Sequence, residues 1–403
     1  MNIDLLLLAI LGVMLLIFFL LNKKNVDLQK IIFPVLYLVL YRTKIGLNLM
    51  DRISKKYPRF INFISIAGIY FGFFGMAVIF YFLIKGTYSF LFIGGPPPVA
   101  PLFPGIKPAV GIPSISFVHW IIAIFILAGV HEFSHGLVAR LHNIILKSSG
   151  FAVFSILLPI VPAAFVEPDE EQLNKKSKKT QLAVLAAGSW SNFITAGIFI
   201  LISLVLITPL VGISSYNDGV VVVQLEKGLP AFNADIGVGE KIVKINDYEI
   251  KTVDDFILSM KEIKPGEKIN MVTDKKEYSL VTVSSPDRDN GYLGVSVSPE
   301  KMVFKEGLWY WPQIISWFGV LISWIILANV GVGLFNLLPL GPVDGGRMFF
   351  LMSMILFKND EAKAKRLWLI VSFFCLALIA ISILPWIYNL FSPLFTPIIS
   401  LFG

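Results

Sequence analysis

Six runs of apolar residues, at 3–21, 61–84, 117–139, 182–211, 314–338 and 367–384, constrain this chain more than any other feature. Each approaches or exceeds the roughly 20 residues that a bilayer's hydrocarbon core requires of a helix. A seventh run, 31–41, is too short to cross and is expected to lie at the interface. The first run lacks a basic n-region, and no small-residue cleavage site follows it before Asn22, Lys23 and Lys24, so it reads as a span rather than a signal peptide. With 56% hydrophobic and 15% charged residues over 403 positions, an ordinary soluble protein is excluded. The sequence predicts a polytopic α-helical membrane protein of about six transmembrane helices.

The net charge of +7 is divided so unevenly that it carries topology. Residues 213–300 hold 10 basic and 15 acidic side chains, whereas Lys and Arg concentrate at 23–60, 140–179 and 358–366. Short basic loops stay in the cytoplasm. With six spans, all three basic loops fall on that side, and both termini and 213–312 fall outside. No nucleic-acid motif is present, and no nucleic-acid partner is expected. The single cysteine, Cys375, lies in an apolar run, which excludes a disulfide framework and suggests a packing or lipid-facing residue.

Between the runs the chain divides into a span with a basic cytoplasmic segment (1–60), a membrane core (61–212), a different kind of domain (213–300), a second core stretch (301–366) and a last span with its tail (367–403). Seven prolines in 94–113 forbid helix there and favour a stiff loop. Gly68 and Gly72, with Gly75 beyond, make a small-residue face suited to close helix packing. The stretch 148–172 is broken by Pro159 and Pro162, and its β-branched and aromatic residues suggest strands or a re-entrant β-hairpin at the membrane edge. Irregular backbone at that depth is tolerated only where protein or a wet cavity covers it. Residues 213–300 alternate in short strands around one helical segment, VDDFILSMKEI, which suits a small α+β domain outside the lipid.

The chemistry concentrates in ILAGVHEFSHGLVARLH, where His131, Glu132 and His135 end an apolar run. A charged group at such depth costs roughly 2.5–3.5 kcal/mol, so ionisable residues there are functional by default. Histidines four apart share a helix face and can reach one ion together, and Glu132 beside them is placed to take a proton from water. A catalytic zinc needs three protein ligands and an open position. Asp344, in a Gly/Pro-rich breaker directly after the fifth run, supplies a carboxylate on the same predicted membrane side. Its alternative role is to cap the following helix. His119 reads as a packing residue and His142 as an interfacial one.

At this point the chain resembles the site-2 protease family of intramembrane zinc metalloproteases. The likeness rests on HEFSHG (131–136) and NLLPLGPVDGG (336–346), with the 213–300 insert between them. It implies that His131, His135 and Asp344 hold one Zn²⁺ per chain, that Glu132 is the catalytic base, and that Asn336 belongs to a functional NxxP element. A third element, Gly-Pro-x-x-Asn, stands here as GSWSN (188–192), with Ser189 in place of proline and Asn192 kept. Either asparagine is a candidate to stabilise an oxyanion; a hydrogen bond between packed helices is the structural alternative. The insert resembles a PDZ domain of the bacterial protease type in circularly permuted order, with Gly291, Tyr292, Leu293 and Gly294 as its peptide-binding loop. The N-terminal pair of runs, the PPPVAPLFPG loop and FVEPDEE look closest to archaeal members. The resemblance further implies that 148–166 receives substrate, and that the activity is hydrolysis of peptide bonds within or near transmembrane segments in regulated intramembrane proteolysis. The expected partners are transmembrane protein substrates, the lipid bilayer and a peptide ligand of the PDZ-like domain. Two other readings stay open on the residues alone. A CAAX-type membrane zincin needs a glutamate as third ligand, and after the insert only Glu306 and Glu361 remain, both in polar linkers. A metal transporter would use the same His/Asp cluster as a relay, without need of Glu132 or a peptide-binding domain.

Overall fold

The six apolar runs form helices, the fifth ending at Asn336 two residues before its run does, and a separate short helix begins at Asp344. The computed structural model describes residues 3–23, 26–32, 36–104, 114–156, 158–284, 290–304 and 311–399, in two units, Met1–Ile202 with Val320–Gly403, and Ser203–Gly319. Part of the proline-rich 94–113 loop lies outside the described residues.

The first unit runs α1 (Ile3–Leu21), β1 (Val26–Ile32), β2 (Leu36–Thr43), α2 (Leu47–Lys56), α3 (Pro58–Phe92), α4 (Phe117–Leu141), β3 (Leu146–Ile156), β4 (Leu158–Pro168), α5 (Glu170–Lys175) and α6 (Lys178–Ile202). A π-turn, Ser203–Ile207, opens the second unit and leads into α7 (Thr208–Ser214). There follow β5 (Ser215–Leu225), α8 (Pro230–Asn233), β6 (Lys241–Ile245), β7 (Tyr248–Glu249), α9 (Val253–Glu262), β8 (Lys268–Thr273), β9 (Glu277–Val281), β10 (Val283–Ser284), β11 (Gly291–Tyr292) and β12 (Val295–Phe304). Helices α10 (Trp311–Asn336), α11 (Asp344–Leu356) and α12 (Glu361–Ile399) complete the chain. Among the described residues five helical stretches are long and apolar enough to cross a bilayer, and α1 adds a shorter apolar helix.

The described parts of the 31–41 run, 31–32 and 36–41, are strand: they belong to β1 and β2, inside a four-stranded antiparallel sheet of order β1-β2-β3-β4. LYLVLYRT pairs with β3 without a slip from Leu36↔Ile156 to Thr43↔Ser149. The run is too short for a spanning helix, and the neighbouring strand β3 supplies partners for its backbone N–H and C=O groups. Arg42 ties the sheet laterally, donating to Glu167 and Ser148 and pairing with Asp27. The 148–166 stretch forms the β3–β4 hairpin, with β4 at the edge of the sheet.

Helix α6 is the hub of this unit. Its residues from Gln181 through Ser189 are all buried, packed by α3, α4 and α11. Alanines and Gly188 dominate the stretch, so backbones approach closely where lipid offers no hydrophobic drive for association. The glycine face of α3 does the same: a methyl at Gly72 would lie 2.7 Å from Met348 on α11, and at Gly68 2.9 Å from Trp190 on α6. Cys375 is a fully buried free thiol on α12.

In the second unit the main sheet runs β12-β5-β6-β8-β9, with β7 beside β6. Val220 and Val222, alternate residues of β5, are completely buried, as are Ile242, Ile245 and Met271 on β6 and β8. A capping box between Thr252 and Asp255 starts α9. Buried Glu240 accepts hydrogen bonds from Thr273 Oγ1 (2.8 Å), Tyr278 Oη (2.9 Å) and the Gly237 amide (2.9 Å). Burial and that carboxylate together push the Tyr278 phenol up to about 12.

Candidate metal centre

Helix α4 is apolar around most of its circumference, as a helix without a water-facing side must be. Ser116 caps its start, accepting from the His119 amide at 3.4 Å, and buried His119 is a packing residue there. The helix ends at Leu141, and Asn143 just beyond it, with a φ of 56°, lies in the left-handed region. His131 and His135 project one turn apart toward α6.

Both rings are oriented by α6 through the same atom. His135 Nδ1 lies 2.7 Å from the Val184 carbonyl, to which only a protonated nitrogen can donate. His131 Nδ1 lies 3.2 Å from the Asn192 side-chain amide. The Nε2 atoms are thereby turned inward, 3.1 Å from each other and each 3.2 Å from Asp344 Oδ2. Ligands held about 2.05 Å from a tetrahedral ion sit ~3.3 Å from one another. The three atoms therefore match the edges of a zinc coordination tetrahedron. Two imidazoles and a carboxylate are also the donor types that zinc accepts.

Asp344 reaches this place because the chain before it folds back tightly. A Cβ at Gly345 or Gly346 would strike the backbone of Leu337–Leu338 or Leu340, so only glycine lets the start of α11 nest in that turn. Asp344 is the first residue of α11; Val343 is the cap position, and no side-chain cap bond forms there. Between the two roles available to Asp344, its carboxylate faces the histidines.

A cavity of about 400 Å³ exposes this cluster, walled by His131, Glu132, His135, Asn336, Asp344 and Arg347 together with β4. Arg347 pairs with Glu170 at 2.8 Å across the wall. Glu132 Oε2 accepts from the Val166 amide of β4 at 2.9 Å, which joins the helix of the histidines to the edge of the sheet.

The structure thus gathers His131, Glu132, His135, Asn336 and Asp344 around one space. Asn192 is different. It is fully buried, and its side-chain amide lies against the His131 ring rather than among the cavity-lining residues, which is the hydrogen-bonding alternative to an oxyanion role. The loop Gly291–Gly294 belongs to the second unit. Gly291 and Tyr292 pair with β10, Leu293 is buried, and Gly294 has a φ of 72°. Gly188, the first residue of GSWSN, also belongs to the site. A Cβ at Gly188 would collide with Nε2 of both histidines. The available signal was a glycine one helical turn before Asn192, in a stretch otherwise rich in alanine.

The sequence model of peptidase family M50 matches residues 119–379. An uncharacterized protein of Methanocaldococcus jannaschii is 30% identical over 311 residues, covering 75% of this chain and 74% of that one. A Clostridium acetobutylicum protein named "Putative zinc metalloprotease" is 26% identical over 319 residues, covering 61% of this chain and 90% of its own. The solved PDZ domain of an SdrC-like protein from Listeria monocytogenes aligns at 23% identity over 20% of this chain and 90% of that one, with a TM-score of 0.18. Since the family match begins ahead of the paired histidines and runs past Asp344, the chain belongs to peptidase family M50, multi-pass membrane zinc metalloproteases.

Proposed function

We propose that this protein is an intramembrane protease that hydrolyses peptide bonds within or near the transmembrane segments of membrane-protein substrates, as in regulated intramembrane proteolysis. The observation that carries the reading is the convergence of His131, His135 and Asp344 with Glu132 in one cavity beside a strand edge. These three ligands hold one zinc ion, which when bound supplies Lewis acidity to activate water and polarise a carbonyl. Glu132 takes the proton from the attacking water and returns it to the leaving amine. Asn336, on the cavity wall, is the candidate donor to the developing oxyanion.

A helical substrate must first unwind, and in lipid each backbone group left unpaired costs several kcal/mol. Strand β4 offers replacements. The Val166 amide is bonded to Glu132 and so points away from β3; strand alternation then turns the N–H and C=O of Ala164 outward too. A substrate segment adds along this edge, which makes the β3–β4 hairpin a re-entrant element. In the second unit β12 is also an edge strand, and with Gly291–Gly294 it is the place for an extended peptide in a PDZ-like manner. The basic loops put the active site near the cytoplasmic side of the cell membrane, with 213–300 and both termini outside.

The test is a gel-based cleavage assay of purified protein in detergent with a chelator control. Glu132→Gln keeps zinc and cleaves a model transmembrane substrate at least ~10²-fold more slowly, the usual scale for losing a general base. His131→Ala loses zinc and cleavage together. Undiminished cleavage by Glu132→Gln overturns the mechanism.

A further inference from the structure

Next to the metal-centre cavity lies a second space of about 250 Å³, between α4 and the four-stranded sheet. Its walls are almost wholly apolar, with Ile121, Ile124 and Phe125 on α4 and Phe151 and Ala164 on the sheet. Ala128, Glu132, Ala164 and Val166 border both spaces, so the second opens beside the proposed base.

The sheet register shows what would enter it. Ser149 pairs with Val166 and Phe151 with Ala164, so these four residues share one face. That face looks toward α4, where the rings of Phe125 and Phe151 stack with centroids 6.5 Å apart. A strand added to the outer edge of β4 would send every second side chain to the same face, into the space under α4. Gly129 completes the argument. Glycine is disfavoured within a helix, and here no neighbour demands it: a Cβ would meet nothing within 4 Å. Gly188 excludes a side chain because ligands crowd it; Gly129 leaves one out where there is room. Lying one turn before Glu132, Gly129 faces the space on the same side of α4.

We infer that this space is the subsite for a bulky apolar side chain, of the leucine or phenylalanine class, carried by a substrate residue flanking the cleaved bond. The inference rests on the protease reading above. It makes Gly129, with Ile124 and Phe125, determinants of which bond is cut.

The experiment uses the full chain in phospholipid vesicles and one model transmembrane substrate with a mapped cleavage site. Each residue flanking the bond is set in turn to alanine, leucine or phenylalanine. For every enzyme the readout is the ratio of cleavage rates, large side chain over alanine, measured within one preparation so that any misfolded fraction cancels. The wild type prefers the large side chain at one position by on the order of 10-fold or more, the scale on which apolar pockets discriminate. Gly129→Leu, which fills the space, lowers that ratio at least ~10-fold at that position alone. Gly129→Ala, which favours the helix, lowers it by a smaller factor. Cleavage that continues with unchanged ratios in both variants overturns the subsite and leaves the space to a lipid chain. Failure of the protease reading shows differently, as a wild type no faster than Glu132→Gln on every substrate, and it removes the subsite too.

Discussion

Replacing Asn192 by leucine separates two roles that a single asparagine could play. Asn192 is fully buried, its amide lies 3.2 Å from His131 Nδ1, and its Oδ1 has no partner among the described residues. The nitrogen and oxygen of an amide are interchangeable by a flip. With His131 Nε2 given to a metal, Nδ1 carries the proton and donates to Oδ1, which satisfies both groups. Leucine of similar size leaves that N–H buried without an acceptor, a loss of about 1–3 kcal/mol. At 1.4 kcal/mol per factor of ten, zinc should bind roughly 5–150-fold more weakly, in line with the ~10–100-fold typical of such supporting contacts. Competition against a chromophoric chelator, with purified protein in detergent, measures this directly. Asn192→Asp, which keeps an acceptor, should recover tight binding. If Asn192→Leu binds zinc as tightly as the wild type yet fails to cleave, Asn192 acts on the reaction itself, and the positioning argument is refuted.

Gly188→Ala places a methyl group against both Nε2 atoms, so elemental analysis should find the folded variant nearly devoid of zinc; full occupancy would contradict the packing. Glu240 carries a pH dependence in the second unit. Burial opposes its ionisation, but hydrogen bonds from Thr273, Gly237 and Tyr278, with Lys275 nearby, outweigh it and hold the carboxyl below its ordinary 4.5. Its stabilisation is therefore present above about pH 4.5 and lost as pH falls through the lowered value. Hydrogen exchange in β6, β8 and β9 should be faster in Glu240→Gln at pH 7, with the difference from wild type shrinking below pH 4.5; a constant difference contradicts the assignment. Lys55→Cys and Lys275→Cys test orientation: an impermeant thiol reagent on sealed cells should label only the second.

The helices and the paired histidines are legible in the sequence because both depend on local spacing. A run of some twenty apolar residues has few ways to satisfy its backbone in lipid other than a helix, and histidines four apart share a face of whatever helix carries them. Even Asp344, far along the chain, was found by counting ligands and membrane sides. Tertiary structure decided the rest. The run at 31–41 is too short to cross, and only β3, over 100 positions later, decides that its 36–41 part is a paired strand. Whether Asp344 caps α11 or faces His131 depends on how tightly Gly345 and Gly346 let the preceding turn approach. Asn192 reads as a polar group near the metal, but only the position of α6 against α4 puts it behind His131 instead of in the cavity. The link from Glu132 to Val166, and the empty space beside Gly129, arise where a helix meets a strand edge. No periodicity encodes such a meeting, because it is set by contacts between segments rather than within them.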